Sequence, residues 1–298
     1  MSRLLHILFT LYASSLVACD IDGPVPECDY NVLIAYSYTT GSGNEIGDYV
    51  SSATDYLFDS AGKLADIRTY GKDGVTQTRI KLSPGHYSLI RWGNLSEKST
   101  LYPPASDSTG CLLTHCQLLS NDPLHYSRTE LEVPPVGIVR KKAYQTHAYL
   151  RLHITVKGIE GNSGDSYTMY LDGAPSGVYF RTDRTIHAHN DSIGIPRQND
   201  SHPSTRRLEG CKMKKNGDIE GEFICNRLTS RSRPSFSLGL DDRAILTDVD
   251  LKHFFDTMLI DMDTNECQEF RLRITYENGK VYISFVSLGD WEEGGSFG

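Results

Sequence analysis

The residues best able to do chemistry near the N-terminus form the tetrapeptide Leu16-Val17-Ala18-Cys19. Arg3 and a mostly apolar stretch over residues 4–12 precede it, a pattern typical of a secretory signal that ends in a lipoprotein cleavage box. In bacterial lipoproteins the cysteine at this position is acylated and becomes the first residue of the mature chain. We therefore predict that residues 1–18 are removed and that Cys19 carries lipid. The alternative is an ordinary cleaved signal with Cys19 near the cut.

Thiol chemistry is the second possibility, because six cysteines are left once Cys19 is assigned to lipid. An even set in an exported chain predicts disulfides, although six cysteines allow 15 pairings and the sequence does not choose among them. No CxxC spacing occurs, which disfavours a zinc ribbon. The candidate disulfide residues are Cys28, Cys111, Cys116, Cys211, Cys225 and Cys267.

Catalytic and cofactor motifs are absent from the sequence. It contains no GxSxG, no P-loop, no dinucleotide fingerprint and no HExxH. His187 and His189 form an HxH in a polar stretch, but a zinc site would need further ligands that this stretch does not supply. These motifs therefore assign no catalytic residues, no cofactor and no metal site. Paired carboxylates for glycoside hydrolysis stay open at this point, because their separation is spatial rather than sequential, and nothing in the sequence selects a particular pair.

Length and charge restrict the class further. The chain without its signal is long enough for two domains at about 150 residues each. The net charge of −8 argues against a nucleic-acid partner, which would require a basic surface. Behind the signal, residues 19–27 contain Gly and Pro and no apolar period, so we predict an extended tether.

The rest of the chain is rich in patterns typical of β-strands. Residues 30–38 and 56–58 are dense in β-forming side chains, and residues 150–156 alternate between apolar and polar. Glu277-Asn278-Gly279-Lys280 predicts a hairpin with Leu272 opposite Phe285. Ser83-Pro84-Gly85-His86 predicts a second hairpin, with Leu82 opposite Tyr87 and Ile80 opposite Leu89. Asn216-Gly217 predicts a third, with Cys211 opposite Glu222.

One helix is predicted among these strands. Leu251, Phe254, Phe255, Met258 and Leu259 form a single apolar stripe at helical spacing, and Thr247 with Asp250 resembles a capping box. Pro134-Pro135 followed by Arg140-Lys141-Lys142 indicates a domain junction. We predict an N-terminal β-sandwich domain over 28–138 and a C-terminal β-sandwich domain over 139–298.

At this point the chain resembles the fimbrillin-associated anchor lipoproteins of Bacteroidales-type bacteria. Four segments carry much of the likeness: Cys28-Asp29 before an aromatic strand, 56–64, 173–179, and the final hairpin leading to Trp291. The most specific segment is Leu82-x-Pro84-Gly85-x-Tyr87-x-Leu89, which continues into Trp92-Gly93-Asn94. Leu124-His125-Tyr126-Ser127 departs from the family's usual Leu-Phe-Tyr-Gly.

The resemblance implies two tandem transthyretin-like antiparallel β-sandwiches and a lipid-anchored fimbrial subunit that is not an enzyme. Such a subunit would anchor or initiate a surface fimbrium, and its expected partners are fimbrial stalk or accessory subunits and the outer membrane. Subunits of this kind join when an extended segment of one completes a sheet of another. The alternatives on the same fold are a free-standing adhesin or glycan-binding lipoprotein, and, with less support, a secreted hydrolase.

Overall fold

A computed structural model describes residues 29–38, 43–102, 111–114, 121–175, 177–180, 185–186, 205–241, 243–265 and 267–286. The chain is mostly β, and its strands build several sheets, which confirms the predicted fold class. The signal segment, the tether and the HxH pair lie outside the described residues. No helix among the described residues is long and apolar enough to cross a membrane.

The first half of the chain forms a sandwich of two sheets, with strand orders β4-β1-β9 and β10-β8-β5-β2-β3. Apolar residues that alternate along these strands meet between the sheets, among them Val32, Ile34, Leu57, Leu89 and Leu131. The strands of this half are β1 Val32–Ser37, β2 Ala53–Asp59, β3 Leu64–Tyr70, β4 Gln77–Ile80, β5 Gly85–Gly93, β6 Ser99–Tyr102, β7 Cys111–Thr114, β8 His125–Val133, β9 Val139–Tyr144 and β10 Thr146–His147.

The second half forms another sandwich, with strand orders β16-β11-β19-β20 and β15-β12-β17-β18. Its core is the largest in the described chain and includes the predicted alternating row Leu150, Leu152, Ile154 and Val156. The strands of this half are β11 Tyr149–Lys157, β12 Ser166–Asp172, β13 Gly177–Tyr179, β14 Thr185–Ile186, β15 Arg206–Lys212, β16 Ile219–Asn226, β17 Ser235–Leu240, β18 Arg243–Asp250, β19 Gln268–Glu277 and β20 Lys280–Phe285.

The two sandwiches share one topology. In chain order, β1, β2, β3, β4, β5, β8 and β9 correspond to β11, β12, β15, β16, β17, β18 and β19. Both place their first strand beside their last common strand in parallel, β1 with β9 and β11 with β19. The second sandwich adds β20 outside β19, and the first has no described strand outside β9. Among the described residues, the outer edge of β9 is thus unpaired at the position that β20 fills in the second sandwich.

The final hairpin has the predicted register. Leu272 lies opposite Phe285, Ile274 opposite Ile283 and Tyr276 opposite Val281. Asn278 and Gly279 both have positive φ, at 53° and 74°, as a primed two-residue turn requires. The Asn-Gly pair and the apolar row therefore fix the same register.

The hairpin predicted around Pro84-Gly85 is wrong. Strand β4 pairs with β1, whereas β5 pairs with β2 and β8 in the opposite sheet, so the turn between them crosses the sandwich. Asn31 fixes this crossing, since its side chain donates to the Leu82 carbonyl at 2.7 Å and accepts from the Leu82 N–H at 2.8 Å. Pro-Gly favours a type II turn, which does not match hairpin twist.

The pairing of Cys211 with Glu222 is also wrong. The turn at Asn216-Gly217 is one residue longer than predicted, with Met213 opposite Ile219. Beyond that bridge, β15 and β16 separate into different sheets, and Cys211 lies opposite Tyr167. Each strand finds its partner within its own sheet rather than across the turn.

Two short helices are described, α1 over Ile46–Tyr49 and α2 over Leu251–Thr257. The second is the predicted helix, although its N-cap is Asp250, whose Oδ1 accepts from the His253 N–H at 2.8 Å. The capping box from Thr247 is therefore wrong by three residues. Leu251 and Phe255 are buried, whereas Met258 and Leu259 are exposed, so the apolar stripe packs only along its first turns.

The two sandwiches meet through a third apolar cluster that includes Trp92 and Tyr126 from the first half and Val178 and Phe180 from the second. Strands β6 and β7 of the first half also form a sheet with β13 and β14 of the second. Strand β9 follows the predicted junction at residue 138, yet it hydrogen-bonds to β1. This pairing favours a junction after β10, and we propose that boundary in place of 138.

Candidate interaction edge

The candidate site is the outer edge of β9, which we call the β9 edge: the free backbone side and the side chains of Val139–Tyr144. The N–H groups of Val139 and Gln145 donate to carbonyls of Asn31 and Ser37 at 2.8 Å. Because bonding alternates along a parallel pair, the N–H and C=O groups of Arg140, Lys142 and Tyr144 point away from β1. They form a row of backbone donors and acceptors that a further strand could use.

Three consecutive cations occupy this edge. Arg140, Lys141 and Lys142 are all exposed, and no ion pair to any of them occurs among the described residues. Tyr144 at the end of the strand is 68% exposed. The edge thus combines unpaired positive charge with an exposed aromatic side chain, in a chain whose net charge is −8.

The turn that leads into β9 adds exposed apolar surface. Val136 is 87% exposed and Ile138 is 39% exposed. Both lie between β8 and β9, in the connection that links the two sheets of the first sandwich. Exposed apolar residues beside a free strand edge are typical of a protein-binding site rather than of bare solvent-facing surface.

Lys141 occupies an unusual place on this strand. Its neighbour on β1 is Ile34, and the flanking pairs are Val32 with Val139 and Tyr36 with Ala143. Val32, Ile34 and Tyr36 are buried in the core, so paired residues on β9 share the core-facing side. Lys141 is therefore a charged residue in a core-facing row, and it stays exposed because no described strand lies outside it.

A second polar cluster lies at the junction of the sandwiches. His125 and His147 are fully buried with ring centroids 4.8 Å apart, and Tyr38 and Tyr149 pack against them. Burial is the main cause that lowers the pKa of His125 to about 3 and of His147 to about 4. The neighbouring His147 and Arg151 contribute to the lowering at His125, and Arg151 contributes at His147. Two buried, neutral histidines suit a packing role. No described group of three or more His, Cys, Asp or Glu residues could hold a metal ion.

A third polar cluster fills the core of the first sandwich. Asp55 accepts from Arg91 Nε at 2.5 Å and from Arg91 Nη2 at 3.1 Å, and both residues are buried. Thr78 also donates to Asp55 at 2.7 Å, and the guanidinium lies 3.5 Å from the centroid of the Tyr36 ring. Arg91 also donates to the Val75 carbonyl at 2.9 Å and to Thr78 Oγ1 at 2.6 Å, so the buried guanidinium is held by a structural network.

The predicted cysteine sites are only partly within the described residues. Cys19, Cys28 and Cys116 lie outside them, and Cys111 lies on β7, where it is opposite Tyr179 and Tyr102. Cys211, Cys225 and Cys267 form no disulfide among the described residues. Burial raises the pKa of Cys225 to about 12, so its thiol is neutral at ordinary pH. The pairing of the predicted disulfides and the lipid on Cys19 stay predictions.

The chain has recognisable relatives. A family model described as fimbrillin-A associated anchor proteins Mfa1 and Mfa2 matches residues 25–293. The chain belongs to this family. The match spans both sandwiches and the β9 edge, and it gives the fold a cell-surface, fimbrial context. No curated protein matches the sequence.

Solved structures support the fold of this Mfa2-family chain. The fimbrial anchor protein Mfa2 from Porphyromonas gingivalis is 12% identical, with a TM-score of 0.61, over 87% of this chain and 98% of that one. A candidate adhesin from Bacteroides ovatus is 15% identical, with a TM-score of 0.63, over 90% and 96%. Another, from Bacteroides thetaiotaomicron, is 12% identical, with a TM-score of 0.62, over 88% and 97%. At these identities the likeness establishes the shared fold.

Proposed function

We propose that the chain is a lipid-anchored fimbrial subunit that anchors or initiates a surface fimbrium on the outer membrane. It acts without catalysis, and it joins other fimbrial subunits by β-strand addition. Membership of the fimbrial anchor family supports the context. The observation that carries the contact is the β9 edge, which pairs with no strand in the described part of the chain, whereas β20 fills the equivalent position in the second sandwich.

Lipid on Cys19 supplies the membrane attachment in this proposal. A single acyl chain binds a membrane only marginally, whereas several chains on one lipoprotein cysteine hold firmly. Residues 19–27 act as a tether that keeps the first sandwich near the surface. The fimbrium then grows from an edge that the anchor presents outward.

The strand contact makes use of main-chain groups. An added strand hydrogen-bonds to the outward N–H and C=O groups of Arg140, Lys142 and Tyr144, as β20 does along β19. Val136 and Ile138 then lose water to the partner. Replacing Lys142 by proline removes one outward donor and leaves the pairing of β9 with β1 intact, because the donors to β1 belong to the alternate residues.

The test is made in native cells with a mild cross-linker, followed by pull-down and mass spectrometry. We expect the wild-type chain to recover fimbrial subunits. The Lys142→Pro variant should lose them while Lys142→Ala, the matched control that keeps the N–H, retains them. In a Cys19→Ala strain the fibres should appear in the medium.

A free-standing adhesin or glycan-binding lipoprotein is the second candidate. It is favoured by the candidate adhesins that share the fold and by Tyr282, which is 53% exposed on the edge strand β20. Recovery of the chain alone, or with glycans only, in the same pull-down would favour this function and contradict the fimbrial one.

A further inference from the structure

We propose that the strand which adds to the β9 edge is antiparallel to β9 and carries an acidic residue on its core-facing side, opposite Lys141. This inference rests on the proposed strand addition and names the chemistry of the partner. The position of Lys141, and of the two cations that flank it on β9, supports this inference.

The second sandwich supplies the template for geometry. There β20 runs antiparallel to β19, and its core-facing side chains Ile283 and Phe285 lie opposite Ile274 and Leu272, which are fully buried. Phe285 also packs against Phe254 of α2 with ring centroids 5.0 Å apart. A strand at this position therefore completes the core through alternate residues.

The first sandwich differs at the centre of the matching row. Its core-facing residues on β9 are Val139, Lys141 and Ala143, so an ammonium occupies a place that an apolar strand would cover. Burying an unpaired lysine charge is costly. An added strand with an apolar residue opposite Lys141 would therefore force the lysine side chain out of the core-facing row. A carboxylate opposite it neutralises the charge, while apolar residues on either side cover Val139 and Ala143.

The two neighbouring cations extend the same preference to the outer face. Arg140 and Lys142 alternate with Lys141, so they project on the other side of the strand. None of the three has a described carboxylate partner within ion-pair distance, although the chain as a whole is acidic. Acidic residues on the outer face of the added strand would also be attracted.

The same charges disfavour the β9 strand of a second copy as the occupant. Pairing β9 with β9 would bring three cations against three, and like charges directly opposite each other destabilise a sheet. A charged residue that points inward at an edge is a known barrier to unselective strand pairing. Lys141 therefore gives the β9 edge specificity. It disfavours an apolar strand and a second β9 strand, and it favours a strand with an acidic residue opposite it.

The test uses capped, fluorescent six-residue peptides copied from β20, Lys280–Phe285, with Ile283→Glu, Ile283→Gln or Ile283→Lys. In the antiparallel register the changed residue lies opposite Lys141, Val281 opposite Ala143, and Phe285 opposite Val139. Binding is measured by fluorescence anisotropy to the full chain without its signal, carrying Cys19→Ser. Variants of that protein are Lys141→Glu and the control Lys63→Glu, an exposed lysine in the turn between β2 and β3.

We expect the Ile283→Glu peptide to bind about fivefold tighter than the Ile283→Gln peptide, the scale of a partly exposed ion pair. High salt should reduce that preference. Lys141→Glu should reverse it, so that the Ile283→Lys peptide binds best, and Lys63→Glu should leave it unchanged. The reversal separates a specific pair from a fold defect, because an unfolded variant would bind none of the peptides.

Three results would overturn the inference. If all three peptides bind equally and compete with one another, strand addition stands and the acidic preference fails. If none binds, the strand addition at the β9 edge fails with it. Vesicles with and without anionic lipid are measured in parallel: binding to anionic vesicles that Lys141→Glu abolishes, with no peptide preference, would assign the cations to a lipid surface instead.

Discussion

Tyr38 Oη lies 2.6 Å from Nε2 of His147, and this buried contact ties the end of β1 to the segment that joins the two sandwiches. The His147 ring stacks on Tyr149 of β11 with centroids 4.5 Å apart, and Tyr149 in turn donates to Glu269 at 2.7 Å. The junction is thus a continuous stack from the first sandwich to the second. Its stability depends on both histidines staying neutral.

The first prediction is that acid weakens this junction. Burial lowers the folded-state pKa of His125 to about 3 and of His147 to about 4, below the ordinary value of about 6.5. Groups with lowered folded-state pKa values bind more protons when unfolded, so their contribution is fully present above about pH 6.5 and falls as pH drops toward 3. Glu269 opposes this fall at His147, whereas Arg151 and Arg227 favour it. Denaturant unfolding at a series of pH values measures the slope.

The control for this prediction is a pair of matched replacements. His125 has no hydrogen-bond partner on either ring nitrogen, so His125→Phe should flatten the pH slope between 6.5 and 4 at little cost in free energy of unfolding at pH 7.5. His86→Phe, at an exposed position on β5, should leave the slope unchanged. An unchanged slope in His125→Phe would show that carboxylates elsewhere govern the acid sensitivity.

The second prediction concerns the buried ion pair of Arg91 and Asp55. Arg91→Met leaves the Asp55 carboxylate without its 2.5 Å and 3.1 Å contacts, and Thr78 alone cannot neutralise it. We expect the free energy of unfolding to fall by about 3–5 kcal/mol. The double variant Asp55→Leu/Arg91→Met should recover part of the loss, because it also removes the Asp55 carboxylate that the single variant leaves buried and unpaired.

The matched control is an exposed pair of the same type. Arg128 and Glu130 contact at 2.7 Å with side chains 46% and 64% exposed. Because solvent screens such a pair, Arg128→Met should cost about 0.5 kcal/mol or less. Equal losses in Arg91→Met and Arg128→Met, measured by urea unfolding, would contradict the role of burial.

The third prediction concerns the contact between sandwiches at Trp92. Its Nε1–H donates to the Phe180 carbonyl at 3.1 Å, and both residues are fully buried. Trp92→Phe leaves that carbonyl unsatisfied, at a cost of about 1–3 kcal/mol. Hydrogen exchange should then be faster in β13, which Phe180 follows, and unaltered in the distant hairpin β19–β20. If Trp92→Phe exchanges its β13 amides at the wild-type rate, the contact is dispensable.

Local patterns predict the parts of this fold whose partners are close in sequence. The hairpin at Asn278-Gly279 is correct in register because turn type and apolar alternation act on the same residues. The crossing at Pro84-Gly85 fails for the opposite reason, since β4 takes its partner from β1 far earlier in the chain. Nothing in the turn itself encodes that choice, and Asn31, which fixes it, lies in a different strand.

The sequence predicts the candidate site only in part, for the same reason. Arg140-Lys141-Lys142 is visible in the sequence, where it indicates a junction, but its meaning depends on β9 lying parallel to β1 with no described strand beyond it. Parallel pairing between the ends of a sandwich leaves no short-range signal. The shared topology of the two halves is likewise absent from the sequence as a repeat, because burial constrains only residue class at each position.

The last prediction concerns Leu259, which follows α2. It has φ of 56° and is 92% exposed, so a branched apolar residue holds a left-handed conformation and gains no burial. Its N–H donates to the Asp256 carbonyl at 3.0 Å, and the next N–H reaches Phe255 at 3.0 Å, as in a helix that ends at a glycine. Leu259→Gly removes a strain of about 1–2 kcal/mol and adds about 0.5–1 kcal/mol of unfolded-state entropy. We expect a net gain of about 0.5 kcal/mol in urea unfolding, whereas Leu259→Val, which keeps a branched side chain at positive φ, should give none.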